Sequence, residues 1–192
     1  GIVNVYSRTP AALAQHFATL DEISEGRVVA GFGTSGPQVI EHFHGVPFKP
    51  AVTRMRETIQ IMNMLIAGQP LNFEGKLFKL GRGFKLRFEP IRPHIPIWVA
   101  SLNPAALRMT AELADGWMPI MIPASHLAGE LASFRERVTG AGRPADAVAV
   151  RAPDRVVAAL EDAKRARRQA AGTLAFYLAR MRTFYGAQLE RF

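Results

Sequence analysis

The most constraining feature of the chain is a one-way alternation of short β-like runs with longer helical patterns. Residues 1–6 form a β-like run with Val3 and Val5 on one face. Ser7-Arg8-Thr9-Pro10 then reads as a helix entrance: Thr9 can accept from an orphan backbone N–H, and Pro10 suits the first helical position. Over residues 11–25, Leu13, Phe17, Leu20 and Ile23 recur at helical spacing. Gly26 stops the helix, and Arg27-Val28-Val29-Ala30-Gly31 predicts a strand buried on both sides. Strand, helix, strand in this order is a parallel crossover unit.

The rhythm continues with one interruption. Gly31-Phe32-Gly33-Thr34-Ser35-Gly36-Pro37 is a glycine-rich loop at the carboxyl end of a parallel strand, the edge where α/β proteins bind ligands. A looser stretch holding His42, His44 and Pro47 leads into a helix over residues 50–66, with Met55, Ile59, Met62 and Ile66 inward and Gly68 placed to end it. Residues 70–94 alternate apolar and charged side chains in three runs (71–73, 76–80 and 84–88), with Gly75 and Gly81/Gly83 at turns. They read as an antiparallel ribbon inserted before the next core strand, Ile95-Pro96-Ile97-Trp98-Val99-Ala100.

A turn at Ser101-Leu102-Asn103-Pro104, a helix over 105–114, a strand over 117–122, a helix over 125–139 and a strand over 148–150 follow. A last helix carries Leu174, Tyr177, Leu178, Met181, Tyr185 and Leu189 on one stripe. About five core strands in βα order fit a TIM barrel or a doubly wound sheet. A TIM barrel usually takes eight strands and roughly 250 residues. The expectation is therefore one α/β domain over residues 1–192, a partial or reduced barrel with a β-ribbon insertion at 70–94.

Composition narrows the chemistry. Hydrophobic residues make up 48% and charged residues 21%, enough for a packed core. With no cysteine, disulfides, thiolate metal sites and cysteine nucleophiles are ruled out, and a cytoplasmic setting is expected. Neither a secretory signal nor an apolar run of membrane-spanning length is read, so no membrane partner is expected. The net charge of +8 favours acidic ligands.

Several motifs, in order, resemble the bacterial luciferase-like superfamily of flavin and deazaflavin oxidoreductases. They are Asn4-Val5-Tyr6-Ser7-Arg8-Thr9-Pro10, then Ala18-Thr19-Leu20-Asp21-Glu22-Ile23-Ser24-Glu25-Gly26-Arg27, then Gly31-Phe32-Gly33-Thr34-Ser35-Gly36, the stretch from Arg54 to Glu57, and Ala111-Glu112-Leu113-Ala114-Asp115-Gly116-Trp117. The inserted ribbon fits as well. The resemblance implies a TIM barrel with a redox ring over the carboxyl ends of the strands, the carrier being coenzyme F420 or, alternatively, FMN. It implies an oxidoreductase or monooxygenase acting on a small organic substrate, with a flavin or F420 reductase as a further partner. An open barrel leaves edge strands unpaired, which invites a homodimer.

Residue by residue, the resemblance sets Asn4 beside the ring and Thr34 and Ser35 against the ring or its ribityl chain. It sets Leu102, Asn103, Ala105 and Ala106 at the cofactor phosphate, where free N–H groups at a helix start favour an anion. Gly1-Ile2 matches a bulge that in relatives often holds a non-prolyl cis peptide. Gly36 and Val39 stand where the sugar-phosphate dehydrogenase branch has Glu and Asn, which argues against that activity. The first strands and the last strand of the family barrel, which often supply active-site side chains, have no counterpart here. The catalytic residues are therefore left unassigned, and a truncated, non-catalytic cofactor-binding module is the alternative reading.

Plainer readings stand beside these. The glycines can be a tight turn, and Ser101-Leu102-Asn103 a helix cap. His42 and His44 read as loop histidines, with no metal site expected. Arg8 either steers an anion or pairs with Asp21 or Glu22. Asp115 braces the turn into its strand, and Trp98 and Trp117 pack. Lys164-Arg165-Ala166-Arg167-Arg168 reads as a solvated helix face, without a nucleic-acid partner.

Overall fold

A computed structural model describes residues 1–152, 162–180, 185–186 and 190–192. The described elements run β1 (Val3–Asn4), α1 (Pro10–Ile23), β2 (Ala30–Gly33), α2 (Pro37–His42), α3 (Ala51–Ile66), β3 (Leu71–Glu74) and β4 (Lys79–Phe84). They continue with β5 (Ile97–Val99), α4 (Pro104–Leu113), β6 (Gly116–Trp117), α5 (Ala124–Gly140), β7 (Ala149–Val150) and α6 (Ala163–Arg180). Five strands form one parallel sheet in the order β1-β2-β5-β6-β7, and β3 pairs antiparallel with β4 as a separate hairpin. The order never reverses. A doubly wound sheet reverses at its switch point, so this sheet is an arc of a singly wound barrel.

The helices pack in sequence on the outer face, α1 on α3, α3 on α4 and α4 on α5. Phe32, Ile97 and Val99 meet Leu13, Phe17, Ile59 and Met62 there in the main core. Phe17 lies edge-on to Phe32, 5.5 Å between ring centres. A second core joins Trp117 to Leu107, Phe134 and Val138, the Trp117 and Phe134 rings 4.4 Å apart. The hairpin is tied to α3 by one buried carboxylate: Glu57 accepts from the backbone N–H groups of Lys76 (2.7 Å), Leu77 (3.0 Å) and Phe78 (2.9 Å).

The helix entrance at Thr9 is as expected, its hydroxyl accepting from Ala12 N with Pro10 opening α1. Elsewhere the expected elements are shifted or cut short. The second strand runs Ala30–Gly33 rather than from Arg27, and Val29 is exposed. Val28 is diverted: its N–H donates to Asp21 and its carbonyl accepts from Arg92, so neither joins the ladder. Gly31 and Gly33 therefore belong to the strand. The loop shrinks to Thr34-Ser35-Gly36, and Pro37 opens a short helix where a loose stretch was expected.

In the ribbon, residues 76–78 form the turn held by Glu57 instead of a strand, and Gly81 and Gly83 lie inside β4. Residues 85–88 are not strand. The strand expected over 117–122 is only Gly116–Trp117, because Pro119 supplies no ladder N–H and Met121 takes a left-handed φ of 56°. Leu20 and Ile23 are 51% and 73% exposed rather than inward. Of the C-terminal stripe, Met181 and Leu189 and the side chains of Leu174 and Leu178 lie outside the described residues, while Tyr177 and Tyr185 are half-buried.

Candidate functional site at the carboxyl ends of the strands

The register gathers the expected cofactor contacts at one edge. Asn4 pairs with Gly33, and Phe32 with Val99, so β1, β2 and β5 end side by side. Ala100 N donates to Phe32 O at 2.9 Å, extending the β2–β5 ladder to the start of the next loop. Neighbouring strands lie ~4.8 Å apart. The corners holding Asn4, Thr34 and Ser35, and Leu102 to Ala106 are thus adjacent on one rim.

Local chemistry gives each residue a definite state. The Asn4 side-chain oxygen accepts from Tyr6 N (3.0 Å) and Ser7 N (2.8 Å), turning the chain out of β1 into α1. Thr34 Oγ1 donates to Ser35 O at 3.2 Å, and Ser35 sits at φ 58°. A serine in the left-handed region is uncommon and marks a turn held by its surroundings. Among the described residues, the backbone N–H groups of Thr34, Ser35 and Gly36 have no partner, an arrangement suited to an anion or a ring carbonyl.

The α4 corner is partly self-satisfied. Asn103 caps the helix, its side chain accepting from Ala106 N at 2.9 Å, and Pro104 has no N–H. Ala105 N–H and Asn103 N–H remain available there among the described residues. The corner is rigid from below: Ser101 is buried, its carbonyl accepts from Trp117 Nε1 (3.0 Å), and its hydroxyl bonds Thr110 Oγ1 (2.9 Å).

The inner face of the sheet is built on glycine backbone, with Ile2 and Trp98 lying against it. Partners in a parallel register share a face, so Gly31, Trp98, Gly116 and Ala149 form one inner row. Asn4 and Gly33 begin the next row towards the rim. A Cβ on Gly33 would strike the Ile2 side chain, and one on Gly116 would strike the Trp98 indole, so those two side chains lie directly on glycine backbone. No carboxylate or imidazole occupies the inner-face register positions 31, 33, 98, 116 and 149. Trp98, expected as packing, is half-exposed on this face, whereas Trp117 is buried on the helix side. The signal for Trp98 was the alternation Ile97, Trp98, Val99, which turns the indole away from its two buried neighbours.

Other expected roles resolve as follows. Asp21 pairs with Arg92 (2.7 Å), not with Arg8, and this hydrogen-bonded guanidinium holds the Asp21 carboxyl below the usual carboxylate range. Arg8 is exposed and, among the described residues, reaches only Ser7 Oγ at 3.4 Å. Asp115 does brace its turn, accepting from Ile97 N (2.7 Å) beside His94 Nε2 (2.9 Å). His44 packs edge-on to Phe43, and no three potential metal ligands gather among the described residues. Burial pushes the Tyr6 hydroxyl up to about 12, against the opposing pull of Arg54, whose guanidinium lies 5.0 Å from the ring. The Gly1–Ile2 peptide is not cis, and the Gly1 carbonyl lies against Gly31 of β2. No helix among the described residues is long and apolar enough to cross a membrane. Lys164, Arg165, Arg167 and Arg168 are all exposed on α6.

The family model for luciferase-like monooxygenases matches residues 1–192. The chain belongs to that family. It is 36% identical over 126 residues to a 5,10-methylenetetrahydromethanopterin reductase of Archaeoglobus fulgidus, covering 66% of this chain and 36% of the relative. It is 30% identical over 146 residues to an F420-dependent glucose-6-phosphate dehydrogenase of Nakamurella multipartita, covering 71% and 41%. The crystal structure of the monooxygenase RslO1 from Streptomyces bottropensis superposes with a TM-score of 0.76 at 23% identity, over 100% of this chain and 59% of that one. The chain thus spans about two fifths of the length of the curated relatives it matches. Its five parallel strands are an arc of the luciferase-like TIM barrel, with the antiparallel hairpin as a separate element.

An anionic, planar redox carrier fits the donor set of this luciferase-like rim. Free amides at residues 34–36 and at Asn103 and Ala105, among the described residues, suit its polar and charged groups, while the β2 glycines admit the Gly1-Ile2 segment against the inner face.

Proposed function

We propose that this chain forms the cofactor-binding part of an oxidoreductase that uses coenzyme F420, with FMN as the alternative carrier, on a small organic substrate. When bound, the deazaflavin ring supplies hydride exchange with the substrate, and FMN in its place supplies oxygen activation. The observation that carries this reading is the adjacency of three strand ends, β1, β2 and β5, where the turns after β2 and β5 leave backbone N–H groups unpaired among the described residues.

The chain's own contribution is orientation and charge. Thr34, Ser35 and Gly36 hold the ring end, and Asn103 and Ala105, with Leu102 and Ala106 beside them, hold the phosphate. Asn4 shapes the β1 turn next to the ring. The net charge of +8 draws an anionic carrier, and F420 with its glutamate tail is the more anionic of the two. The reaction chemistry belongs to the carrier. An inner face with few acid–base groups agrees with that division. It also favours a second reading, a binding module without turnover. A flavin or F420 reductase is the partner this function needs, and homodimerisation along the β1 side is part of the proposal.

Titration of the chain with F420 and with FMN, followed by a hydride-transfer assay, tests the reading. F420 is expected to bind more tightly than FMN, and Ser35→Asp to weaken it about tenfold or more by placing a charge against an anion. Binding without turnover selects the module. Binding of neither carrier overturns both readings.

A further inference from the structure

We propose that Trp98 and Arg151 form a recognition site on the inner face of the sheet for the carboxylate of a small organic substrate. The proposal deepens the oxidoreductase reading, on which it rests for the role of the occupant.

Arg151 directly follows β7, and its backbone N–H donates to Trp117 O at 3.1 Å, which fixes its position at the rim. Trp117 and Val150 are register partners on the helix side, so the next residue, Arg151, turns to the inner face. There its guanidinium stands 5.7 Å from the centre of the Trp98 ring. That distance is within the range of a cation–π contact. Arg151 is exposed, and no described carboxylate pairs with it.

The indole is held flat from below. Its atoms Cδ2, Cε2 and Cγ lie where a Cβ on Gly116 would stand, so glycine at 116 admits the ring against the strand. The same inner row continues through Gly31, which presents no side chain. The result is an aromatic plate with a cation over it, in a row that runs on to Gly31, where the Gly1 carbonyl lies. A guanidinium fork matches a carboxylate with two parallel hydrogen bonds, and stacking on the indole keeps the fork oriented. The apolar part of an organic acid would cover the plate.

The chain has two tryptophans, and Trp117 is buried at 1% exposure, so quenching of tryptophan fluorescence by a small ligand reports Trp98. The test titrates the 192-residue chain, without cofactor, with benzoate and with the uncharged isostere benzamide. Benzoate is expected to bind saturably and about tenfold more tightly than benzamide. Arg151→Gln is expected to reduce benzoate to the benzamide level, and Arg151→Lys to keep part of the preference. Circular dichroism checks that both variants fold like the parent. No saturable binding, equal affinity for the two probes, or a preference unchanged by Arg151→Gln overturns the proposal. Titration of the same samples with F420 and FMN separates the two ideas. F420 binding without carboxylate preference defeats this site alone. Carboxylate preference without binding of either carrier defeats the oxidoreductase reading alone.

Discussion

Glu57 shows how a single side chain shapes this molecule. Its carboxylate is buried and accepts from three consecutive N–H groups at the hairpin turn. Gly75 permits the approach: a Cβ there would lie 2.5 Å from the carboxylate and 2.6 Å from the Phe73 ring. Replacing Glu57 by Ala strands three donors, for an expected loss of about 2–4 kcal/mol. Gly75→Ala is expected to cost about 1–3 kcal/mol by overpacking the same point. Because the two act on one contact, the double variant should lose less than the sum, which a double-mutant cycle in urea measures. The sequence carried both residues openly, yet not their meeting. Glu57 reads as one more polar position on an amphipathic helix until the turn that uses it is placed. Asn103 is the converse case. Its place before Pro104 announced a cap, and the cap it makes on Ala106 N reduces the donors left for an anion at that corner.

At the scale of elements, helices were legible and strand limits were not. α1 and α3 declare themselves through a capping Thr9, a terminal Gly68 and apolar spacing, all local signals. Strand limits here are set by long-range partners. The clearest is the start of β2, where Asp21 on α1 and Arg92 before β5 together take both backbone groups of Val28. Nothing within residues 27–33 encodes that. The Asp21–Arg92 bridge also sets an acid limit. Its depressed carboxyl means the contribution is complete above the unfolded carboxyl value of about 3.9 and is lost as pH falls through the lower folded value. Arg92→Met is expected to destabilise by about 3 kcal/mol at pH 7, since it leaves the buried Asp21 charge unpaired. The variant should lose much less on going to pH 3, where Asp21 takes up a proton. Urea midpoints at the two pH values check the sign. An equal loss at both would show that Arg92 acts through packing.

At the scale of the whole molecule, the two sides of the sheet differ among the described residues. A hollow of about 390 Å³ opens beside β1, against Val3, Leu13, Phe17 and Leu20. One of about 420 Å³ opens beside β7, against Leu131, Val148 and Val150. The two sides differ in what they show to water. Leu20 and Ile23 project from α1 at 51% and 73% exposure, whereas none of the large exposed apolar residues lies on α5 or β7 among the described residues. Exposed apolar area lowers free energy when covered, by roughly 25 cal/mol per Å². We propose that homodimerisation uses the α1 side. Sedimentation of the chain over a range of concentrations is expected to show reversible association. Leu20→Lys with Ile23→Lys should weaken it at least tenfold without lowering the melting temperature, because neither side chain supports the core of the single chain. An unchanged association would move the contact to another face. A lowered melting temperature would mean that both side chains already pack within one chain.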